Sequence, residues 1–173
     1  CAAILDAQPA NPGANCLLAR ARLRAGAGAE ARALIDRALR TAPDYPPALE
    51  LDARLRDEVE GDDRDAVARA YRRALAVSPA SGPLWFAYGN LRQGAFDDAA
   101  GSLPSYARSL AATPGEIPVA MNLATAQLKL GDADAALARC EEALAKRPTH
   151  IRALALKTTA LYDLGTPAPA DAD

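Results

Sequence analysis

The sequence predicts an all-α protein built from repeated pairs of antiparallel helices, and three observations support this. Prolines recur at Pro9, Pro43, Pro79, Pro114 and Pro148, so the intervals are 34, 36, 35 and 34 residues. Each proline follows an alanine- and leucine-rich run by four or five residues, as expected where a residue without a backbone N–H ends a helix. The chain is 50% hydrophobic but only 5% aromatic, which suits close-packed helices better than a sheet.

Glycines in the middle of each repeat separate its two helices. Gly26, Gly61, Gly94 and Gly131 each stand between two runs with helical periodicity. Residues 1–9 overlay residues 140–148 position for position, so the chain is expected to begin inside a second helix of a longer array. In chain order the predicted helices are Ala2–Ala7, Ala14–Ala25, Ala29–Thr41, Pro47–Glu60, Asp63–Val77, Leu84–Gln93, Phe96–Ala112, Glu116–Leu130, Ala133–Lys146 and His150–Leu164.

Small residues keep the same register from repeat to repeat. Ala19, Ala53, Gly89 and Ala124 fall in the middle of successive first helices, where a closely approaching neighbour tolerates nothing larger. A second column, on the second helices, holds Ile4-Leu5, Ala38-Leu39, Ala74-Leu75, Ser109-Leu110 and Ala143-Leu144. This pattern, most complete in residues 122–148, resembles the tetratricopeptide repeat over nearly the whole chain. The resemblance implies an α-solenoid with a right-handed superhelical twist.

The resemblance also implies a single repeat domain over residues 1–164. Its parts are a second-helix remnant at 1–11, repeats at 12–45, 46–81, 82–116 and 117–150, and a terminal helix at 151–164, followed by a polar tail or linker at 165–173. The terminal helix is either a solvating cap or the first half of a further repeat. In the third repeat, Leu103-Pro104 interrupts the second helix, and we expect a kink or restart there because an interior proline costs about 3 kcal/mol.

Composition and residue spacing argue against several classes of function. The 20 basic and 22 acidic residues nearly cancel, so no global field attracts nucleic acid, and no run approaches the roughly 18 apolar residues of a membrane span. The cysteines Cys1, Cys16 and Cys140 lack zinc-type spacing, and the only histidine, His150, lies at an inter-repeat turn. We therefore expect no catalytic residue, cofactor or metal, no nucleic-acid partner and no membrane insertion.

Two of the cysteines are expected to be buried in the helix packing. Cys1 and Cys140 occupy the large apolar position of a second helix, which indicates burial as small hydrophobes. A lipid-carrying Cys1 is the alternative, although the repeat is already under way at that residue. We expect a cytoplasmic location, and the alanine- and arginine-rich composition indicates a GC-rich bacterial source.

The family resemblance implies a partner-binding groove lined by the first helices. Its matching positions hold Cys16, Arg20, Arg24, Glu50, Arg54, Asp57, Phe86, Asn90, Gln93, Met121, Asn122, Thr125, Lys129, Arg152, Ala155 and Thr159. Among these, the residues predicted to bind a partner are Arg20, Arg54, Phe86, Asn90, Met121, Asn122, Thr125 and Arg152. The two asparagines can bond a peptide backbone, and Phe86 and Met121 offer apolar contact. A core position is the alternative for Phe86.

Charges along the groove are mixed. Arg20, Arg24 and Arg54 would form a small basic patch, but Glu50, Asp57 and Glu58 stand near enough in sequence to neutralise it. The carboxylate clamp found in some family members is not predicted, because its first two positions hold Cys16 and Arg20.

Two function classes remain open. The first is a non-catalytic protein–protein interaction scaffold that binds a partner peptide or segment on its concave face. The second is the recruiting repeat domain of a larger bacterial enzyme, since residues 149–157 with Leu161 and Leu164-Gly165 resemble the last repeat helix ahead of iron/2-oxoglutarate-dependent oxygenase domains. The chain has no oxygenase HxD motif, so that activity would lie outside it.

Overall fold

The computed structural model describes residues 8–60 and 63–165, and within them all regular structure is helical. Nine α-helices and one π-helical segment, Arg56–Glu60, make up this part of the chain. The α-helices are α1 (Pro12–Arg24), α2 (Gly28–Thr41), α3 (Pro46–Leu55), α4 (Arg64–Val77), α5 (Gly82–Ala95), α6 (Ala99–Ala112), α7 (Ile117–Lys129), α8 (Ala133–Lys146) and α9 (Ile151–Asp163). The predicted all-α repeat fold is confirmed, whereas the predicted helix at Ala2–Ala7 lies outside the described residues.

Local sequence explains where the helices begin. The first helices of the pairs, α1, α3, α5 and α7, each carry a proline in the first two positions, where its missing N–H has no intrahelical partner. The second helices α4, α6 and α8 follow an aspartate whose carboxylate accepts a backbone N–H of the first turn. His150 does the same for α9, because its Nδ1 accepts the N–H of Ala153 at 3.1 Å.

The chain forms two compact units, Cys1–Pro79 and Ala80–Asp173, called unit 1 and unit 2 below. In unit 1, α1 pairs with α2 and α3 with α4 around a core of alanines and larger aliphatic residues. Asp52 is buried within this unit and bonds both Arg32 on α2 and Arg56 in the π-helical segment. This ion cluster ties α2 to the end of α3.

In unit 2, α5 pairs with α6 and α7 with α8, and α9 packs on α7 and α8. Met121, Cys140 and Ala153 belong to one core cluster, and Tyr106 and Val119 belong to a second. None of the helices in residues 8–60 and 63–165 is long and apolar enough to cross a bilayer.

The small-residue column is confirmed. Ala19, Ala53 and Ala124 are 0% exposed, and Gly89 is also buried. At Gly89 even a methyl group does not fit, because an added Cβ would lie 2.6 Å from Cε1 of Tyr106. The second-helix column is buried as well, at Ala38, Ala74, Ser109 and Ala143.

Two local predictions were wrong, and so was one of the two alternatives given for a third. Helix α6 begins at Ala99, so Phe96–Asp98 is a turn in which Asp97 has a φ of 49°. The helix after Pro47 leaves α geometry at Leu55 and continues as the π-helical segment to Glu60. No restart occurs at Leu103-Pro104, because α6 runs through Pro104. Pro104 stands in the second turn, where it withdraws a donor only from the carbonyl of the exposed Ala100.

Candidate functional site

Polar side chains of three successive first helices in unit 2 line a shallow concavity of about 400 Å³. Repetition at about 35 residues places them together, since each first helix presents the same turns beside the next. We call this surface the amide face; its lining residues are Asn90, Gln93 and Gly94 of α5, Tyr106 of α6, Asn122, Thr125 and Lys129 of α7, and Arg152 of α9.

Two asparagines join α5 to α7 at the centre of the amide face. The Asn122 Nδ2 donates to Asn90 Oδ1 at 2.6 Å. The hydroxyl of Tyr106 lies 3.0 Å from the same Asn90 oxygen and 2.7 Å from Gln93 Oε1, and its single proton serves one of these acceptors at a time. Tyr106 thus orients Asn90 from the buried side of the face, and Asn90 in turn orients Asn122.

Tyr106 is the buried support of this network. Its side chain is 0% exposed, and burial, the largest cause, raises the pKa of the phenol to about 12. The hydroxyl therefore stays protonated at neutral pH and remains a donor. Gly89 makes the arrangement possible, since any side chain there would meet the Tyr106 ring.

Charged groups stand at the edges of the amide face. Arg152 Nη2 donates to Thr125 Oγ1 at 3.1 Å, and Thr125 in turn donates to the carbonyl of Met121 at 2.8 Å. Lys129 pairs with Asp97 at 2.9 Å. Of these two cations, only Lys129 has a carboxylate partner among the described residues.

Unit 1 presents a smaller and more ionic hollow at the corresponding first-helix positions. It measures about 190 Å³ and is lined by Arg20, Leu23, Arg24, Leu51, Arg54 and Glu58. Arg54 pairs with Glu58 at 3.2 Å, so part of the predicted neutralisation is present. Asp57 instead accepts the hydroxyl of Tyr71 at 2.7 Å and is directed towards α4.

The predicted groove residues separate into exposed and buried ones. Arg20, Arg54, Asn90 and Arg152 are exposed, and Asn122 and Thr125 are half-buried. The expectation that Met121 offers a flexible contact surface was wrong. Its side chain is 0% exposed and packs with Cys140 and Ala153, because this side of α7 faces α8 and α9.

Two other groove positions also turn inwards. Cys16 is 3% exposed, and burial raises the pKa of its thiol to about 11, so the thiol stays neutral. Phe86 is half-buried against Val119 and Leu123, with its ring centroid 6.1 Å from that of Tyr106. In the structure Phe86 packs against this cluster. That Phe86 also serves as an apolar anchor for a partner stays a prediction.

Tyr106 was not predicted as a site residue, because the family resemblance assigns the groove to first helices. A signal was present, since Ile35, Tyr71, Tyr106 and Cys140 occupy one second-helix column in which the residues are at most 1% exposed. In the first-helix column of small residues, Gly89 replaces the alanine of the other repeats and faces the ring of Tyr106.

The amide face offers hydrogen bonds and no reactive pair. His150 caps α9, and within the described residues no group of three His, Cys, Asp or Glu side chains could hold a metal ion. Cys140 is buried, as expected, and burial raises the pKa of its thiol. The side chains of the amide face are therefore suited to binding other polar groups by hydrogen bonds.

Comparison with known proteins confirms the family resemblance. Residues 90–160 match the tetratricopeptide repeat, a family that is generally non-catalytic. No curated protein matches the chain.

Several solved structures share the fold. One is YrrB, described as a tetratricopeptide protein with an unusual peptide-binding site, with a TM-score of 0.84 at 14% identity over 95% of this chain and 83% of that one. MamA matches with a TM-score of 0.73 at 17% identity, covering 86% of this chain and 85% of that one. PilW, a type IV pilus biogenesis factor, matches with a TM-score of 0.72 at 24% identity, covering 89% and 71%.

Proposed function

We propose that this chain is a non-catalytic protein-interaction scaffold and that the amide face binds the main chain of an extended partner segment. The observation that carries the proposal is the Asn122–Asn90 hydrogen bond, which fixes two side-chain amides side by side on neighbouring first helices. A scaffold role is the common use of tetratricopeptide folds, and YrrB is a neighbour whose description includes a peptide-binding site.

The asparagine pair leaves one amide nitrogen, with its two N–H donors, and one amide oxygen available to a partner. Asn122 uses its Nδ2 and Asn90 its Oδ1, so Asn90 Nδ2 and Asn122 Oδ1 make no hydrogen bond with the described residues. A peptide unit carries the complementary N–H and C=O. Together the two amides can therefore satisfy the backbone of a segment without selecting its side chains.

The flanks of the amide face add selectivity. Arg152 is exposed and bonds only the Thr125 hydroxyl among the described residues, so its guanidinium can donate hydrogen bonds to a carboxylate of the partner. An exposed pair of this kind contributes less than about 1 kcal/mol, whereas truncation of a central anchor costs about 2 kcal/mol or more. The Arg20 and Arg54 region of unit 1 is proposed as a second contact area for acidic segments.

The test is affinity capture from the source cell with the wild type and with an Asn90→Ala/Asn122→Ala variant. Loss of at least one reproducible partner, with an unchanged circular dichroism spectrum, is the expected result. An Asp134→Ala/Thr149→Ala variant is the matched control, because both residues are exposed on or after α8. Capture of every partner by the double asparagine variant would contradict the proposal.

A further inference from the structure

A second and larger concavity of about 480 Å³ lies in unit 2, between the end of α6, the start of α7 and one side of α8. We call it the α6–α8 crevice. Its lining residues are Leu110, Pro114, Gly115, Ile117, Ala120, Arg139, Glu142, Ala143, Ala145 and Lys146. Ala120 and Ala143 form a buried floor, and Leu110 and Ile117 are half-buried along its walls.

The equivalent junction of α2, α3 and α4 in unit 1 shows why the crevice exists. Aligning Pro43 with Pro114 places Leu49 at the position of Ala120, and Leu49 is only 1% exposed. Aligning Pro79 with Pro148 places Arg73 at the position of Glu142. The smaller alanine in unit 2 leaves unfilled the space that a leucine side chain would take.

The long side chains at the two junctions also behave differently. Arg73 reaches across its junction and donates to the carbonyl of Pro43 at 2.6 Å. Glu142 instead pairs along α8 with Arg139 at 2.7 Å. No side chain at this position therefore crosses the α6–α8 crevice.

The charge of the crevice is concentrated at one end. Arg139 and Glu142 neutralise each other. Lys146 Nζ lies over Gly115, since a Cβ added there would be 2.0 Å from that nitrogen. Among the described residues Lys146 has no carboxylate partner, so an unpaired ammonium stands beside an apolar floor.

We propose that the α6–α8 crevice is a docking site for a large apolar side chain, leucine or phenylalanine, of a partner protein segment in which a neighbouring residue carries a carboxylate. The apolar side chain fills the space above Ala120 and Ala143, and the carboxylate pairs with Lys146. An apolar anchor in a pocket combined with one charge at its rim is the chemistry of an interface hot spot. This site is separate from the amide face and goes beyond the function proposed above.

The experiment is an NMR titration of the ¹⁵N-labelled chain with the probe N-acetyl-Phe-Glu-amide at millimolar concentration. The expected result is a set of shifts that includes the signals of Gly115, Ile117, Ala120 and Ala143. Replacing the probe by N-acetyl-Phe-Gln-amide, or the protein by Lys146→Gln, weakens binding by roughly threefold, the worth of an exposed ion pair. The Ala120→Leu variant reproduces the residue of unit 1 and weakens binding by more than about tenfold, because leucine occupies the anchor position.

The controls separate this site from the amide face. Asn122→Ala leaves the affinity for the probe unchanged if the crevice is independent. Full-strength binding by a folded Ala120→Leu variant would overturn the proposal, as would shifts on α5 and α9 only. If Ala120→Leu fails to fold, Lys146→Gln decides, since Lys146 is exposed. Binding of 4-phenylbutyrate without binding of the peptide probe would also overturn it, because the site would then take a small acid.

Discussion

Tyr71 in unit 1 and Tyr106 in unit 2 occupy the same position of their repeats, yet they support different surfaces. Tyr71 donates to the carboxylate of Asp57, whereas Tyr106 lies within bonding distance of the amide oxygens of Asn90 and Gln93. Asp57 and Gln93 are equivalent positions in the two repeats. The two first-helix faces thus differ in the tyrosine's partners, with Asp57 at the position of Gln93 and Arg54 at the position of Asn90.

The difference shows what each face can do. In unit 1 Arg54 is already paired with Glu58, whereas Arg20 and Arg24 have no carboxylate partner among the described residues. In unit 2 the neutral amides share hydrogen bonds and keep an open donor and an open acceptor. A guanidinium that is already paired gains little from a new carboxylate, whereas an open amide pair gains a hydrogen bond. The two tyrosines therefore have the same packing role, whereas the residues that they contact determine what each face can bind.

The largest expected effect tests the shared packing role. Tyr71→Ala and Tyr106→Ala each remove a side chain that is at most 1% exposed, so each should lower the free energy of unfolding by about 3–5 kcal/mol. Urea unfolding followed by circular dichroism gives the measurement. Similar losses support a common role, and a loss below about 1 kcal/mol in either variant breaks the comparison.

A smaller effect tests the close approach between Gly89 and the Tyr106 ring beneath the amide face. Gly89→Ala places a Cβ 2.6 Å from the Tyr106 ring, and the overpacking should cost about 1–3 kcal/mol despite the better helix propensity of alanine. Gly94→Ala is the matched control on the same helix, because an added Cβ there meets nothing within 4 Å. The control should be neutral or more stable by about 0.4–1 kcal/mol. Equal melting curves for both variants would contradict the packing described here.

The pH dependence of stability sharpens the comparison further. Burial raises the pKa of Tyr106 from 10.0 to about 12, and burial, together with the Asp57 carboxylate, raises the pKa of Tyr71 as well. In both cases the folded state favours the neutral phenol, so this stabilisation is present below pH 10 and is lost as the pH rises through the folded pKa. Between pH 10 and about 12, Tyr106→Phe should therefore lose less stability than the wild type does. Parallel curves would show that Tyr106 ionises normally.

The smallest effect concerns the ionic face of unit 1. Glu58→Gln removes the partner of Arg54, and since both side chains are more than half exposed, the free energy of unfolding should change by less than about 1 kcal/mol. Thermal melts at low and high salt measure it. A larger loss would mean that the unit 1 face is a structural element and not a solvated one.

Much of the fold could be predicted because its signals are local. Proline and aspartate at helix starts and glycine between helices act within a turn or two of the chain. The small residues at 19, 53, 89 and 124 could be recognised because they recur with the repeat. The turn at Phe96–Asp98 and the uninterrupted α6 were less accessible, since helix propensity competes there with capping by Asp98. The π-helical segment carried no signal that we recognised.

The candidate site was predicted only in part. Asn90, Asn122, Thr125 and Arg152 do share one face, because the repeat length alone brings equivalent turns of neighbouring helices together. Tyr106 was missed, since its hydroxyl reaches the face from a second helix through the space that Gly89 leaves.

The sequence by itself determined the repeat, the helix order and the columns of small residues, because period and composition are properties of the chain. Only the tertiary structure decided that Asn122 meets Asn90 while the adjacent Met121 is buried. Neighbouring residues on an α-helix point about 100° apart, so the rotation of α7 about its own axis decides which of the two faces the surface. That rotation is set by packing against α8 and α9, through contacts between residues far apart in the chain.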